Sequence, residues 1–251
     1  MPSEVHYIER VRLSDAWLDV MRNLAHKSEV APLIVSVTGF HDSVVDEDIA
    51  VRRQLDALLH KLGHPSCHTV ANTIFPEALW NPSAPRSQLF DRYSRILPRV
   101  RSASTKNRFG TYFERLITGG PAEHSNQLDF VLATFSSHSG VRRSVLQLSV
   151  FDARRDHTRA ARRGFPCLQH VTFAPHGDGI AVNAFYAVQF MGERAYGNYL
   201  GICRLGRFVA HELHRPLSRM TCVTGIAQRD FSTSDISALL ALFPTTPAIT
   251  H

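Results

Sequence analysis

The chain has 251 residues, 44% of them hydrophobic and 20% charged, an ordinary globular balance that excludes a low-complexity disordered chain. Four cysteines are too few for a disulfide scaffold, and their wide spacing without a CxxC pair points to a reduced protein. Lys and Arg number 28 against 22 Asp and Glu, a formal +6, and 25 of those 28 are arginine, whose planar fork suits phosphates and carboxylates, although coding bias produces the same skew.

In chain order, Met1–Arg10 is charged with no apolar stretch behind it, so no leader segment is read there. The spacing of Trp17, Val20, Met21 and Leu24 predicts a helix over 13–24. The β-branched run 32–40 (PLIVSVTGF) predicts a buried strand, and 46–62 a helix with Asp46, Glu47 and Asp48 at its start. Residues 72–80, with Trp80 as a core side chain, read as a strand and turn, and the three prolines of 76–85 as a loop. Further helices are expected over 88–100 and 126–136, and a strand over 144–151. A loop with Arg154, Arg155, Arg159, Arg162 and Arg163 follows. Then come an extended stretch to Phe173, a longer turn around Gly177-Asp178-Gly179, a second strand over 180–190 and a helix over 198–213. No repeat or linker interrupts this order, which predicts one α+β domain. No run of 18 apolar residues occurs, so the expectation is a cytoplasmic chain without a membrane partner.

The segment 162–173 (RRGFPCLQHVTF) places Cys167 at a strand entrance beside several arginines. Such charges lower a thiol pKa and favour the nucleophilic thiolate, whereas a lone cysteine beside a strand is otherwise a small buried hydrophobe. The order of features around it is more specific. Phe109-Gly110 is followed by Asn126-Gln127-Leu128, Arg142-Arg143, Pro166-Cys167, the hairpin, and Gly197-Asn198 opening an apolar helix. This order resembles the thymidylate synthase family. That family's pattern runs from Tyr-Gly-Arg through Asp-Gln-Leu, Ser-Arg-Arg, Pro-Cys-His and Phe-Asn-Ile to a late Gly-Asp-x-His-x-Tyr. The match covers roughly residues 105 to 230 and carries no role for 1–100.

The resemblance implies a mixed sheet packed by helices and dimerising through the sheet, as a single domain over 1–251. It implies a transferase that adds a one-carbon unit from methylenetetrahydrofolate to C5 of a pyrimidine nucleotide or nucleotide-like substrate. Cys167 would form the covalent adduct at C6. Arg142 and Arg143 would hold a phosphate, reaching into the partner subunit's site, and Asn198 would bond the base edge. The departures are Leu168 where the family has His, and 187–191 (AVQFM) without the Arg-Ser phosphate ligands and the Asp after them. Gln228 and Asp230 also replace the ribose-binding His and Tyr. The family's early proton-relaying Glu has no assigned counterpart, although Glu47, Asp56 and Glu77 lie in the region where it is sought. These departures keep two alternatives open: an inactive relative that binds a nucleotide-like anion, and a Cys-dependent enzyme with another acceptor and no folate.

Other signals are weaker. His60, His64 and His68 have helical spacing, but Gly63 and Pro65 interrupt the helix, and no HExxH occurs, so no metal is expected. His211, Glu212 and His214 read as a solvated helix end. The arginine loop has no interleaved aromatics for stacking, which leaves nucleic acid as a minor reading behind a small anion. No GxSxG elbow supports a hydrolase.

Overall fold

The computed structural model describes residues 5–120, 122–137, 142–157, 159 and 166–244. The chain opens with β1 (His6–Arg10), α1 (Leu13–Leu24), β2 (Glu29–Val30) and β3 (Leu33–Val37). Helix α1 has the expected bounds, because Leu13, Trp17, Val20, Met21 and Leu24 make one fully buried stripe. The strand expected over 32–40 is shorter. It ends at Val37, and β4 (Phe40–His41) pairs with β5 (Val44–Val45) around Asp42 and Ser43, both at positive φ as a two-residue hairpin turn demands. Helix α2 (Ile49–Lys61) starts late because Asp48 is its N-cap, accepting from the Ala50 N–H at 2.8 Å.

The strand expected near 72–80 is absent. Instead α3 (Cys67–Asn72) is followed by a 3-10 turn, Glu77–Leu79, and Ile74 and Phe75 drop into the core between them. Next come α4 (Ser87–Ser102), α5 (Tyr112–Thr118), α6 (Gln127–Ser137), β6 (Gln147–Ser149), α7 (Ala153–Asp156), β7 (Leu168–His176) and β8 (Gly179–Phe190). Strand β6 is shorter than expected because Arg143–Val145 form a 3-10 turn. The turn from β7 to β8 is also shorter than expected. His176 pairs with Gly179, leaving Gly177 and Asp178 as the loop, with Gly177 at φ 57°. A π-helical turn, Met191–Ala195, runs into α8 (Tyr196–Glu212), and β9 (Leu217–Gln228) and α9 (Thr233–Ala241) finish the described chain.

The fold is α+β, with a mixed seven-stranded sheet in the order β1-β3-β9-β8-β7-β6 and β2 also paired to β9. β1 with β3, and β8 with β9, are parallel; the other pairs are antiparallel. Helix α8 is the crossover between parallel β8 and β9, the usual solution for joining parallel neighbours. One sheet face carries the buried row Val35–Cys222–Ala184–Val171 beneath α1 and α8. The other presents the row Tyr7–Ile34–Val223–Phe185, with Tyr7 58% and Phe185 40% exposed. No described helix is long and apolar enough to cross a membrane.

Helix α3 lies against α8 because two glycines remove the obstacle. A Cβ on Gly197 would stand 2.6 Å from Val70 Cβ and 2.7 Å from the Cys67 carbonyl oxygen, and one on Gly201 2.8 Å from the Ala71 oxygen. Alanine is favoured over glycine in a helix by about 1 kcal/mol, but overpacking against fixed backbone costs about 1–3 kcal/mol. Contacts under 3 Å place Gly197→Ala in the upper part of that range, so with the helix gain subtracted it is expected to lower unfolding stability by about 1–2 kcal/mol in a urea titration. An unchanged or raised midpoint would contradict the close α3–α8 contact.

Candidate active site

Where β7 begins and β8 ends, a cavity of about 460 Å³ opens, within the size range of small-molecule sites. Cys167 lies on its wall one residue before β7, its carbonyl accepting from the Ala187 N–H at 3.1 Å. Asn198, in the first turn of α8, lies on the same wall. The π-turn between β8 and α8 adds Glu193 and Arg194. Its wider winding is held from two sides. Asp230 accepts from the Gly192 and Glu193 N–H groups at 2.6 and 2.8 Å, and Trp17 Nε1 donates to the Met191 carbonyl at 2.8 Å. Phe109, Pro166, Val188 and Phe190 supply an apolar side suited to a flat ring.

Burial pushes the Cys167 thiol above its ordinary range, and Arg194 pulls it back only in part. The thiol therefore stands above its ordinary range, opposite to the direction expected from its charged neighbours. Among the described residues the cation acting on the sulfur is Arg194 of the π-turn; Arg162 and Arg163 lie outside them. Tyr112 shares the cavity wall, and its hydroxyl is pushed up to about 12, by burial first and then by Cys167, against the backbone of Leu168 and Cys167. Glu193 accepts from Arg194 at 2.6 Å and Lys106 at 3.2 Å, with His64 Nδ1 at 3.6 Å. Burial raises its carboxyl, but Arg194, Lys106 and His64 outweigh that and hold it below the usual range. The site therefore carries a cationic corner, Lys106 and Arg194, around one carboxylate.

Two of the four residues expected from the sequence, Cys167 and Asn198, meet in this cavity although 31 positions separate them. Arg142 and Arg143 do not. They are exposed at the 3-10 turn before β6, at the sheet edge. Gln127 is structural, clamping both the Ser149 N–H and carbonyl at 2.9 and 3.0 Å. None of the acids considered for proton relay lines the cavity. Glu47 binds Arg52 and Tyr196, Asp56 accepts from the Cys67 N–H, and Glu77 pairs with Arg204 and Arg207. The cavity's acid is Glu193. Its signal in the sequence is a Glu-Arg pair between the hairpin and Gly197-Asn198, a few residues from where the family's Arg-Ser is sought. Leu168 is buried in the core, and Asp230 serves the π-turn rather than a ligand.

Among the described residues no group of three His, Cys, Asp or Glu side chains is placed to hold a metal ion. His68 is instead bound by Arg204 at 2.5 Å, and His211 by the Pro82 carbonyl at 3.0 Å. A second depression, about 410 Å³ beside β1 and α1, has its cations Arg10 and Arg22 paired to Asp19 at 2.5 and 2.6 Å. It is lined by no cysteine. Comparison with protein-family models and with curated proteins finds no match for this chain.

Proposed function

We propose that this chain is a thymidylate-synthase-like transferase that adds a one-carbon unit to C5 of a pyrimidine nucleotide or nucleotide-like substrate. The observation that carries this reading is the meeting of Cys167 and Asn198 in one cavity with Lys106 and Arg194. The Cys167 thiolate bonds to C6, the C5=C6 π pair moves toward C5 and the C4 oxygen, and C5 becomes the nucleophile. Asn198 holds the base edge. Lys106 and Arg194 take the phosphate in place of the family ligands missing from 187–191, with Glu193 released from them as the anion enters. The apolar side at Phe109 and Phe190 fits the flat ring of methylenetetrahydrofolate, which when bound would supply the one-carbon unit.

The uncovered sheet face supports a homodimer, because the row Tyr7–Ile34–Val223–Phe185 places apolar side chains together at the surface. In this arrangement Arg142 and Arg143 serve the partner's phosphate. Phe185→Arg is expected to convert a dimer of 28.1 kDa protomers to monomer in sedimentation analysis and to weaken nucleotide binding with it. A monomeric native protein, or a variant that stays dimeric with unchanged binding, ends the sheet-face reading.

The activity is tested by incubating the protein with UMP, dUMP, CMP or dCMP, with and without methylenetetrahydrofolate, and following C5 product and a Cys167 adduct by mass spectrometry. Absence of both binding and adduct with all four nucleotides rejects the proposal. The second reading, a binding protein that has lost the chemistry, is favoured by the raised Cys167 thiol. It gives nucleotide binding without adduct or product. A third reading, a Cys-dependent enzyme with another acceptor, gives an adduct that needs no folate.

A further inference from the structure

Two buried amides line the cavity, and each keeps one polar atom unbonded. Gln189 is 2% exposed and Asn198 3%, both line the cavity that holds Cys167, and among the described residues Gln189 Nε2 and Asn198 Oδ1 have no hydrogen-bond partner. Buried amide atoms are nearly always paired, so two orphans of opposite sense in one cavity mark where a ligand completes the bonding. The sense of Gln189 is set from behind. Thr224, itself fully buried in β9, donates its hydroxyl to Gln189 Oε1 at 3.0 Å, which leaves the NH₂ end as the unpartnered one. Strand β8 brings Gln189 there two residues beyond Ala187, the residue whose N–H holds the Cys167 carbonyl.

We infer that Gln189 and Asn198 together read the lactam edge of a planar heterocycle. The Gln189 N–H donates to the ring's exocyclic oxygen, and the Asn198 carbonyl accepts from the adjacent ring N–H. The inference rests on the proposed nucleotide site for the identity of the ring and adds Gln189 as a second specificity residue. An amino-substituted ring presents the reverse pattern, an exocyclic donor beside a bare ring nitrogen, and would leave both amides opposed. An N-alkylated ring would leave Asn198 unpaired. Sites built to bond a polar edge reject ligands lacking it far more strongly than apolar pockets reject a change of size.

Calorimetric titration of the full chain with UMP, its N3-methyl derivative and CMP tests this, repeated on Gln189→Met and Thr224→Val. The expected result is UMP tighter than the other two by on the order of 100-fold. Gln189→Met should remove most of the preference over CMP. Thr224→Val, which frees the amide without touching the ligand, should remove part of it. Equal binding of N3-methyl-UMP or CMP to the native protein overturns the inference without any variant, and so does a Gln189→Met protein that discriminates like the native one; both results leave the Cys167 chemistry standing. If no pyrimidine nucleotide binds, the same titration with IMP and 1-methyl-IMP decides. Preference for IMP retains the lactam edge and rejects the pyrimidine reading, and no binding rejects both.

Discussion

If the proposed C5 transfer is the reaction, Cys167→Ser is expected to lower its turnover by at least about 10³-fold while the nucleotide still binds, because a serine hydroxyl does not ionise near neutral pH and cannot open the conjugate addition. The thiol itself is held in its protonated form by burial, and Arg194 is the cation that works against this. That cation is partly occupied, since Glu193 holds it at 2.6 Å. Alkylation of native Cys167 should therefore show a pH midpoint above the ordinary thiol value of about 8.5. Arg194→Met should move the midpoint higher still, because removing a cation disfavours the thiolate. Retained turnover in Cys167→Ser would exclude the covalent route. A midpoint that stays or falls in Arg194→Met would show that Arg194 does not act on the sulfur. Occupation of the Lys106–Arg194 corner by a phosphate would draw the cations off Glu193, so nucleotide should also change the alkylation rate.

Asp156→Ala is expected to cost about 3–5 kcal/mol, a large fraction of the roughly 5–15 kcal/mol that holds a domain folded. Asp156 is 1% exposed and Arg115 4%. The carboxylate takes Arg115 Nη1 and Nη2 at 2.7 and 3.0 Å and the Asp152 N–H at 3.0 Å. Arg115 in turn donates to the Val150 and Phe109 carbonyls at 3.0 and 3.1 Å, so the pair ties α5 and α7 to the loop that forms the cavity's apolar side. Truncating Asp156 strands a buried guanidinium, whereas Arg115→Met with Asp156→Leu removes both charges and should recover part of the loss; the two carbonyls left bare prevent full recovery. Burial raises the Asp156 carboxyl, but Arg115 and the Asp152 N–H outweigh it, and the net shift is downward. A depressed acid stabilises above its unfolded pKa, about 3.9, and that stability is lost as pH falls through the lower folded value. Acid titration of the native protein should show this loss below about pH 4, and Asp156→Asn should lack that part of the pH dependence. An Asp156→Ala protein within about 1 kcal/mol of native would contradict the buried pair.

Periodicity and turn chemistry determine several elements of this fold locally. Helix α1 was legible residue by residue because its apolar stripe repeats at helical spacing and nothing in its middle breaks it. The β7–β8 hairpin was legible from two extended stretches around Gly177-Asp178-Gly179, and the loop length was overestimated, since Gly179 belongs to the strand. Residues 72–80 were misread because Thr73, Ile74 and Phe75 have strand-like character locally. Their conformation is decided by packing, as Ile74 and Phe75 fill the core where Gly201 lets α3 approach α8.

The candidate site divides in the same way. Cys167, Asn198 and the arginine pair could be nominated from the sequence because the order of short motifs is a one-dimensional signal. That Cys167 and Asn198 share a cavity with Gln189, Glu193, Arg194 and Lys106, while Arg142 and Arg143 sit apart at the sheet edge, is a three-dimensional fact. It follows from the π-turn after β8 and from the pairing of β7 with β8. The thiol's raised pKa was likewise beyond the sequence, which displays nearby charges but not the burial that opposes them. Local spacing determines elements and nominates chemistry. Which nominated groups meet, and in what dielectric, is set by long-range packing that no window of residues contains.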